Sequence, residues 1–354
     1  MCETASMERF KGLSSSIKTL PVEDAIGTVL AHDITEIRGD FKGRAFKKGH
    51  IIRQGDIEHL KRLGKDNLFV IELSDEELHE DSAALIMAEA LRGEGVLIEG
   101  EPKEGRINLI AAYDGILKVK KEALFEFNMH GDVMCATLHD NTLVKKGQLV
   151  AGTRAIPLVI KKSILESALK AISGGVLSVK RLKRPRAGIV ITGNEVYYGR
   201  IKDAFGEIIS NKIISYQGEI VGIHYAPDDT DFIEEKLRGL IKEGADLLIT
   251  TGGMSVDPDD VTRVAISRLG VDALTYGSAV LPGAMFLVAY LGDIPILGIP
   301  ACGMYSSTTV FDIVLPRVLA GERIGRAELS ALGHGGLCLR CKECRYPICP
   351  FGKA

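Results

Sequence analysis

The segment Asp246–Asp260, D-L-L-I-T-T-G-G-M-S-V-D-P-D-D, ends an apolar run in two threonines and two glycines and then turns acidic. Hydroxyls at Thr250, Thr251 and Ser255 are donors for an anion. Main-chain N–H groups bared by Gly252 and Gly253 are donors too, because a ligand can approach backbone that carries no Cβ. Asp257, Asp259 and Asp260 bring carboxylates to the same place. A carboxylate beside a phosphate repels it by roughly 4 kcal/mol at 4 Å and an effective dielectric of 20. A magnesium ion that takes oxygens from both removes that cost. The chemistry these residues imply is magnesium-dependent binding of a phosphate-bearing small molecule, with Asp260 the leading metal ligand. The plainer reading is a helix start, with Asp257 as N-cap, Pro258 at the first helical position and acids in the first turn.

Two further segments repeat the pattern. I-T-G-N-E-V at 191–196 runs a strand into Thr192, Gly193 and Glu195, and A-P-D-D at 226–229 places Asp228 and Asp229 after another strand. Those aspartates also suit the start of a helix expected from Asp231, with Glu234 three residues on. Ser306 and Ser307 offer either ligand donors or a helix cap.

A second chemistry lies at the C-terminus. Cys338, Cys341, Cys344 and Cys349 crowd the last 17 of 354 residues, in C-L-R-C-K-E-C-R-Y-P-I-C-P. Such crowding opposes a disulfide framework and points to a metal site. The run is similar to the iron–sulfur pattern C-x2-C-x2-C-x3-C-P with one extra residue before the last cysteine. Zinc, although ribbons use two knuckles separated by a long loop, and a metal-free redox role both remain open. Arg340, Lys342, Arg345 and Lys353 interleave with the thiols and offset thiolate charge, while His334 is a candidate extra ligand.

These groups need elements to position them. Strands are expected at 188–191, 220–224, 246–250 and 294–298, separated by helices. One helix carries Ile233, Leu237, Leu240 and Ile241 on a stripe, and the last carries Val310, Phe311, Val314, Leu315 and Val318. This alternation predicts an α/β fold, a parallel sheet with helices on both faces. Residues 1–180 form an N-terminal mixed, β-rich region, with a helix at 82–91 and another opened by a Ser163–Glu166 capping box. The domains read 1–180, 184–325 and 326–354, and K-R-L-K-R-P-R at 180–186 reads as a solvated hinge.

Composition narrows the function further. A net charge of −3, no tryptophan and 6% aromatics argue against a nucleic-acid partner. No run approaches the ~20 apolar residues of a membrane span and the N-terminus lacks an apolar core, so a cytoplasmic location is expected. No G-x-G-x-x-G follows a strand, which disfavours a dinucleotide dehydrogenase.

In order, I-T-G-N-E-V, the T-T-G-G segment, V-L-P-G-A-M-F at 280–286 and L-G-I-P-A-C-G-M-Y at 297–305 resemble the molybdopterin-binding domain of the molybdopterin molybdotransferases, the family of the gephyrin E domain. The resemblance spans roughly 184–322, and P-V-E-D-A-I-G-T-V-L-A-H-D-I at 21–34 is similar to that family's opening. It implies catalytic roles for Glu195, Asp228 and Asp260. It also implies contacts to the pterin or its phosphate from Thr192, Gly193, Thr250, Thr251, Gly252, Gly253, Ser255, Pro282, Gly283 and Pro300. The implied cofactor is magnesium and the implied partners are molybdopterin or adenylyl-molybdopterin and molybdate, with AMP released by a homodimer. Departures are specific: Leu281 and Ala284 stand where the family has oxyanion-holding lysines, Ala301 and Cys302 replace the Gly-Asn of its last motif, and its C-terminal β domain is missing. They leave two alternatives, a non-catalytic molybdopterin carrier or redox-linked accessory protein, and a nucleotide-processing enzyme on the same kind of domain.

Overall fold

Contacts within the chain fall into two units. The structure, a computed structural model, describes residues 17–38, 41–254 and 261–353. The first unit takes the chain up to Ala112 with Val119–Leu138 and Lys146–Ser178; the second takes Tyr113–Lys118, His139–Lys145 and Val179 onward.

The first unit is β-rich. Ile17–Pro21 and Val29–Leu30 flank Asn67–Ile71 in an antiparallel sheet, and a second antiparallel sheet orders Val133–Thr137, Leu149–Ala155, Arg106–Ala111 and Val96–Lys103. Ile107, Leu109 and Ala111 alternate inward along one strand, as a sheet with a single buried face requires. The helix Glu80–Leu91 packs on this sheet and starts two residues before the expected position, capped by His79, whose Nδ1 accepts from the Asp81 N–H at 3.2 Å. The expected Ser163–Glu166 capping box does not form. The strand Val159–Lys161 runs straight into the helix Lys162–Ala171, and the Lys162 N–H donates to Glu76 O at 2.9 Å, so the helix entry needs no side-chain cap.

The second unit is the α/β fold. Its elements are β1 (Arg186–Thr192), α1 (Asn194–Tyr197), α2 (Phe205–Ser215), β2 (Glu219–Ala226), α3 (Thr230–Lys242), β3 (Leu247–Thr251), α4 (Thr262–Arg268), β4 (Ala273–Tyr276), β5 (Leu287–Leu291), β6 (Ile294–Ile299), α5 (Val310–Leu319) and α6 (Arg326–Ala331). The sheet order is β2-β1-β3-β6-β5-β4. The first four strands are parallel, as expected, but β5 and β4 continue the sheet antiparallel. They escaped sequence reading because a hairpin from β5 to β6 needs only Gly292 and its neighbour rather than a helix crossover. Helices cover both faces. Ile189, Ile191, Leu247, Ile249, Leu297 and Ile299 point to α2, α5 and α6; Val190, Leu248 and Ile296 point to α3 and α4. Gly188 is needed for that second layer, since a Cβ there would lie 2.8 Å from the Leu240 Cβ.

Helix starts differ from expectation at α3. Asp229, not Asp231, caps it, accepting from the Phe232 N–H at 2.8 Å, because Asp229 has the extended backbone of an N-cap. Asp231 lies in the first turn and pairs with Arg268 at 2.8 Å. Thr309 with Asp312 makes the capping box of α5, so the serines at 306 and 307 do not serve as its cap. The segment read as a hinge lies within the second unit, where the Arg181 guanidinium sits 3.6 Å over the Tyr113 ring.

Candidate functional site

Parallel pairing brings the C-terminal ends of β1, β3 and β6 to one edge of the sheet, with Ile191 beside Thr251 and Thr251 beside Ile299. Antiparallel β5 starts at that edge, Leu287 beside Gly298, so the 277–286 loop arrives there as well. All four motif segments therefore meet where an open α/β sheet binds ligands.

Thr192 is buried and works internally: its hydroxyl donates to Thr251 O at 2.8 Å and lies 3.1 Å from the Thr262 hydroxyl. Thr250 and Thr251 are fully buried, and among the described residues neither hydroxyl has a hydrogen-bond partner. Unpaired buried hydroxyls are costly, and this strand tip carries two, one toward each face of the sheet. Gly252 and Gly253 have positive φ, 79° and 55°. A Cβ on them would come within 2.3 Å of Thr192 O and 2.2 Å of Thr262 Oγ1. The atoms that exclude a side chain are thus the chain's own, where a ligand was expected. Ser255, Asp257, Asp259 and Asp260, with the helix start expected at Pro258, lie outside the described residues.

The adjoining loops are stitched together. Gly193 N–H donates to Ala226 O at 3.1 Å; Asn194 N–H donates to Asp228 Oδ2 at 3.0 Å, and the Asp228 N–H returns a bond to Asn194 Oδ1 at 3.3 Å. Asp228 is thereby a clasp between the β1 and β2 tips. Glu195 is exposed, its carboxylate folded over Gly193. Gly283, with φ 129°, lets the 277–286 loop touch α5, where a Cβ would lie 2.4 Å from Val310 Cγ1, and Pro282 O accepts from the Val310 N–H at 3.3 Å. Pro300 precedes the short turn Ala301–Met304.

Sequence reading missed Asp203. Its carboxylate accepts from the Phe205 and Gly206 N–H groups at 2.8 and 3.0 Å and from the Tyr225 hydroxyl at 3.1 Å. Burial, then this hydrogen bond, pushes the Tyr225 phenol up. An aspartate two residues before a helix was the available signal.

The tail docks onto this unit. Leu281 N–H donates to Gly336 O and Cys338 N–H to Leu281 O, both 2.8 Å. Tyr346 donates its hydroxyl to Asp312 O at 3.2 Å, and Phe351 is buried in the α5 face of the core. The result is a cavity of 440 Å³ lined by Cys338, Cys341, Cys344, Cys349 and also Cys302. The Thr308 hydroxyl lies 3.3 Å from Cys344 Sγ and holds that thiol below its usual range, whereas burial pushes Cys302 up. Arg340 and Arg345 share the lining; His334 is exposed and is not part of it. Among the described residues no three His, Cys, Asp or Glu side chains are grouped as one metal ion would require. No helix among them is long and apolar enough to cross a membrane.

Fold and strand-edge loops together define an α/β ligand-binding domain, and residues 188–320 match the family described as "Probable molybdopterin binding domain". Residues 19–72 match a domain family described only as of unknown function. Over 83 residues the chain is 40% identical to a CinA-like protein of Mycobacterium avium (strain 104), a stretch covering 23% of this chain and 19% of that protein. The chain thus spans about a fifth of the curated relatives it matches. Among solved structures it is similar to the molybdopterin biosynthesis Mog protein of Mycobacterium ulcerans, at 21% identity and TM-score 0.34, over 39% of this chain and 98% of that one. A molybdenum cofactor biosynthesis protein of Pyrococcus furiosus gives 16% identity and TM-score 0.25 over 89% and 65%.

Proposed function

We propose that the second unit binds molybdopterin, in adenylylated form, at the strand edge and acts as a molybdotransferase in molybdenum-cofactor synthesis. The observation that carries this reading is the buried hydroxyls of Thr250 and Thr251, without a partner among the described residues, within the stretch that matches the molybdopterin-binding family. Main-chain N–H groups of the Gly252–Gly253 turn, with Ser255, hold the phosphate beside Thr192 and Gly193; Pro282, Gly283 and Pro300 border the pterin. Glu195 and Asp260 hold magnesium against that phosphate, and Asp228 keeps the Glu195 loop in place. Molybdate joins the dithiolene as AMP leaves, in a cytoplasmic homodimer. The tail cysteines hold a metal, as an iron–sulfur cluster or zinc.

One observation favours the carrier reading: the Leu281 backbone is committed to the tail and its side chain offers molybdate no cation. A nucleotide-processing enzyme on the same kind of α/β domain is a third reading. AMP release from adenylyl-molybdopterin, measured with and without molybdate, separates them. Molybdate-dependent release supports the transferase, tight binding without turnover the carrier, and molybdate-independent release the third. Equal affinity in chelator and in magnesium removes the metal from the scheme.

A further inference from the structure

Arg263 brings a cation to the strand edge and leaves part of it unanswered. It lies in the first turn of α4, directly after Thr262, whose hydroxyl is 3.1 Å from that of Thr192 and excludes a Cβ from Gly253. The guanidinium carbon sits 4.3 Å over the Tyr276 ring, and the Tyr276 hydroxyl donates to Met254 O, next to Gly253. The guanidinium is thereby held against an aromatic face beside the T-T-G-G loop. Its Nε is buried and has no hydrogen-bond partner among the described residues. Arg268, at the other end of the same helix, contrasts with it: Asp231 and Glu234 take its charge at 2.8 and 3.3 Å. A guanidinium keeps its proton in proteins, so a buried N–H on it is costly until an acceptor, best an anionic oxygen, meets it.

The same face of the sheet carries Thr250. Val190, Leu248 and Ile296 point to α3 and α4, and alternation along β3 puts Thr250 on that side, its hydroxyl also without a partner among the described residues. The 277–286 loop reaches the stack as well. Gly277 N–H donates to Phe286 O and Ser278 N–H to Ala284 O, both at 2.8 Å, so Ala284 lies against the residues that follow Tyr276. Leu281 and Ala284 are the neutral residues standing where the family resemblance implied oxyanion-holding lysines. We infer that Arg263 supplies the charge those two positions lack: its guanidinium, set in place by the Tyr276 ring, binds a tetrahedral oxyanion at the strand edge, the phosphate of the ligand or molybdate. The inference rests on the strand edge being the anion site proposed above. Arginine suits the task because its planar fork stacks on an aromatic ring and still presents N–H groups to an oxyanion.

The test measures binding to the full chain by calorimetry with adenylyl-molybdopterin, inorganic phosphate and molybdate, in wild type, Arg263→Gln and Arg263→Lys. Expected in Arg263→Gln is a loss of about tenfold or more for the oxyanion that Arg263 holds, and a shallower salt dependence of affinity than in wild type. Arg263→Lys keeps the charge without the planar fork and should lose less; if the Gln protein does not fold, that weaker affinity in the Lys protein carries the test. Loss for adenylyl-molybdopterin and phosphate with molybdate unchanged assigns the phosphate, and loss for molybdate alone assigns molybdate. A purely structural Arg263 lowers the unfolding temperature and leaves affinity and salt dependence as they are; that result overturns the inference, as does equal binding by wild type and both variants. Arg263-dependent binding of phosphate or molybdate without binding of adenylyl-molybdopterin supports the inference and removes the pterin reading. Binding of none of these probes to wild type overturns both.

Discussion

At the strand edge, Gly252 and Gly253 press against Thr192 and Thr262 with no space for a Cβ, so the loop is shaped by contacts within the sheet and the helix packed on it. The tail is shaped differently: two main-chain bonds to Leu281, one Tyr346 hydroxyl and the buried Phe351 ring dock it from outside. A site made by the sheet shares the sheet's stability, whereas a docked site can open while the sheet stays folded. The two meet at Leu281 and Cys302. These are positions where the resemblance to molybdotransferases implied lysine and asparagine, so two of the departures from the family pattern fall where the tail attaches.

The largest expected effect comes from removing the dock. Phe351→Ala should cost about 3–5 kcal/mol of tail docking. Alkylation of the tail cysteines should then speed up while the far-UV signal of the sheet is retained; a protein that unfolds as a whole would break the distinction between the two regions. Next, Gly253→Ala should destabilise the whole unit by about 2–4 kcal/mol in urea, from positive φ and the clash with Thr262 together. A drop confined to ligand affinity would show that the loop is less integral to the sheet than the geometry says.

Glu80, in the first unit, is a control outside both regions. Burial, then the neighbouring Asp81 charge, pushes its carboxyl up to about 7 from 4.5. Below pH 4.5 both states hold the proton and nothing is lost. Between 4.5 and about 7 the unfolded chain has released it while the native protein keeps it, so folding stability falls through that window and stays lower above it. Glu80→Gln should therefore gain about 2 kcal/mol over wild type at pH 8 and much less at pH 5, by denaturation at each pH. Tail alkylation should not change.

The smallest effects separate neighbouring threonines. Thr192→Val removes a donor to Thr251 O and should cost about 1 kcal/mol, whereas Thr250→Val removes a hydroxyl without a described partner and should leave stability within about 0.5 kcal/mol. Binding of adenylyl-molybdopterin should weaken in Thr250→Val nonetheless. Unchanged affinity there would show that this hydroxyl does not meet the ligand.

The four parallel strands, the α3 and α5 stripes and the meeting of four motifs at one edge were legible in the sequence, because hydrophobic periodicity and strand-tip glycines are local signals. β4 and β5 were not, since short strands that extend a sheet by a hairpin carry no crossover helix to announce them. The cap of α3 was misplaced by two residues because three of four consecutive residues, Asp228, Asp229 and Asp231, are equally good caps in isolation; backbone conformation selected the middle one.

What the sequence alone determined is the α/β class and the residue types at the site, because burial pattern and side-chain chemistry are properties of the chain in one dimension. Only the tertiary structure decided that Gly252 and Gly253 answer to Thr192 and Thr262, that Asp228 clasps Asn194, and that Cys302 joins four cysteines more than 30 positions further along. Those are contacts between segments remote in sequence, and they are set by sheet register and by how the tail docks.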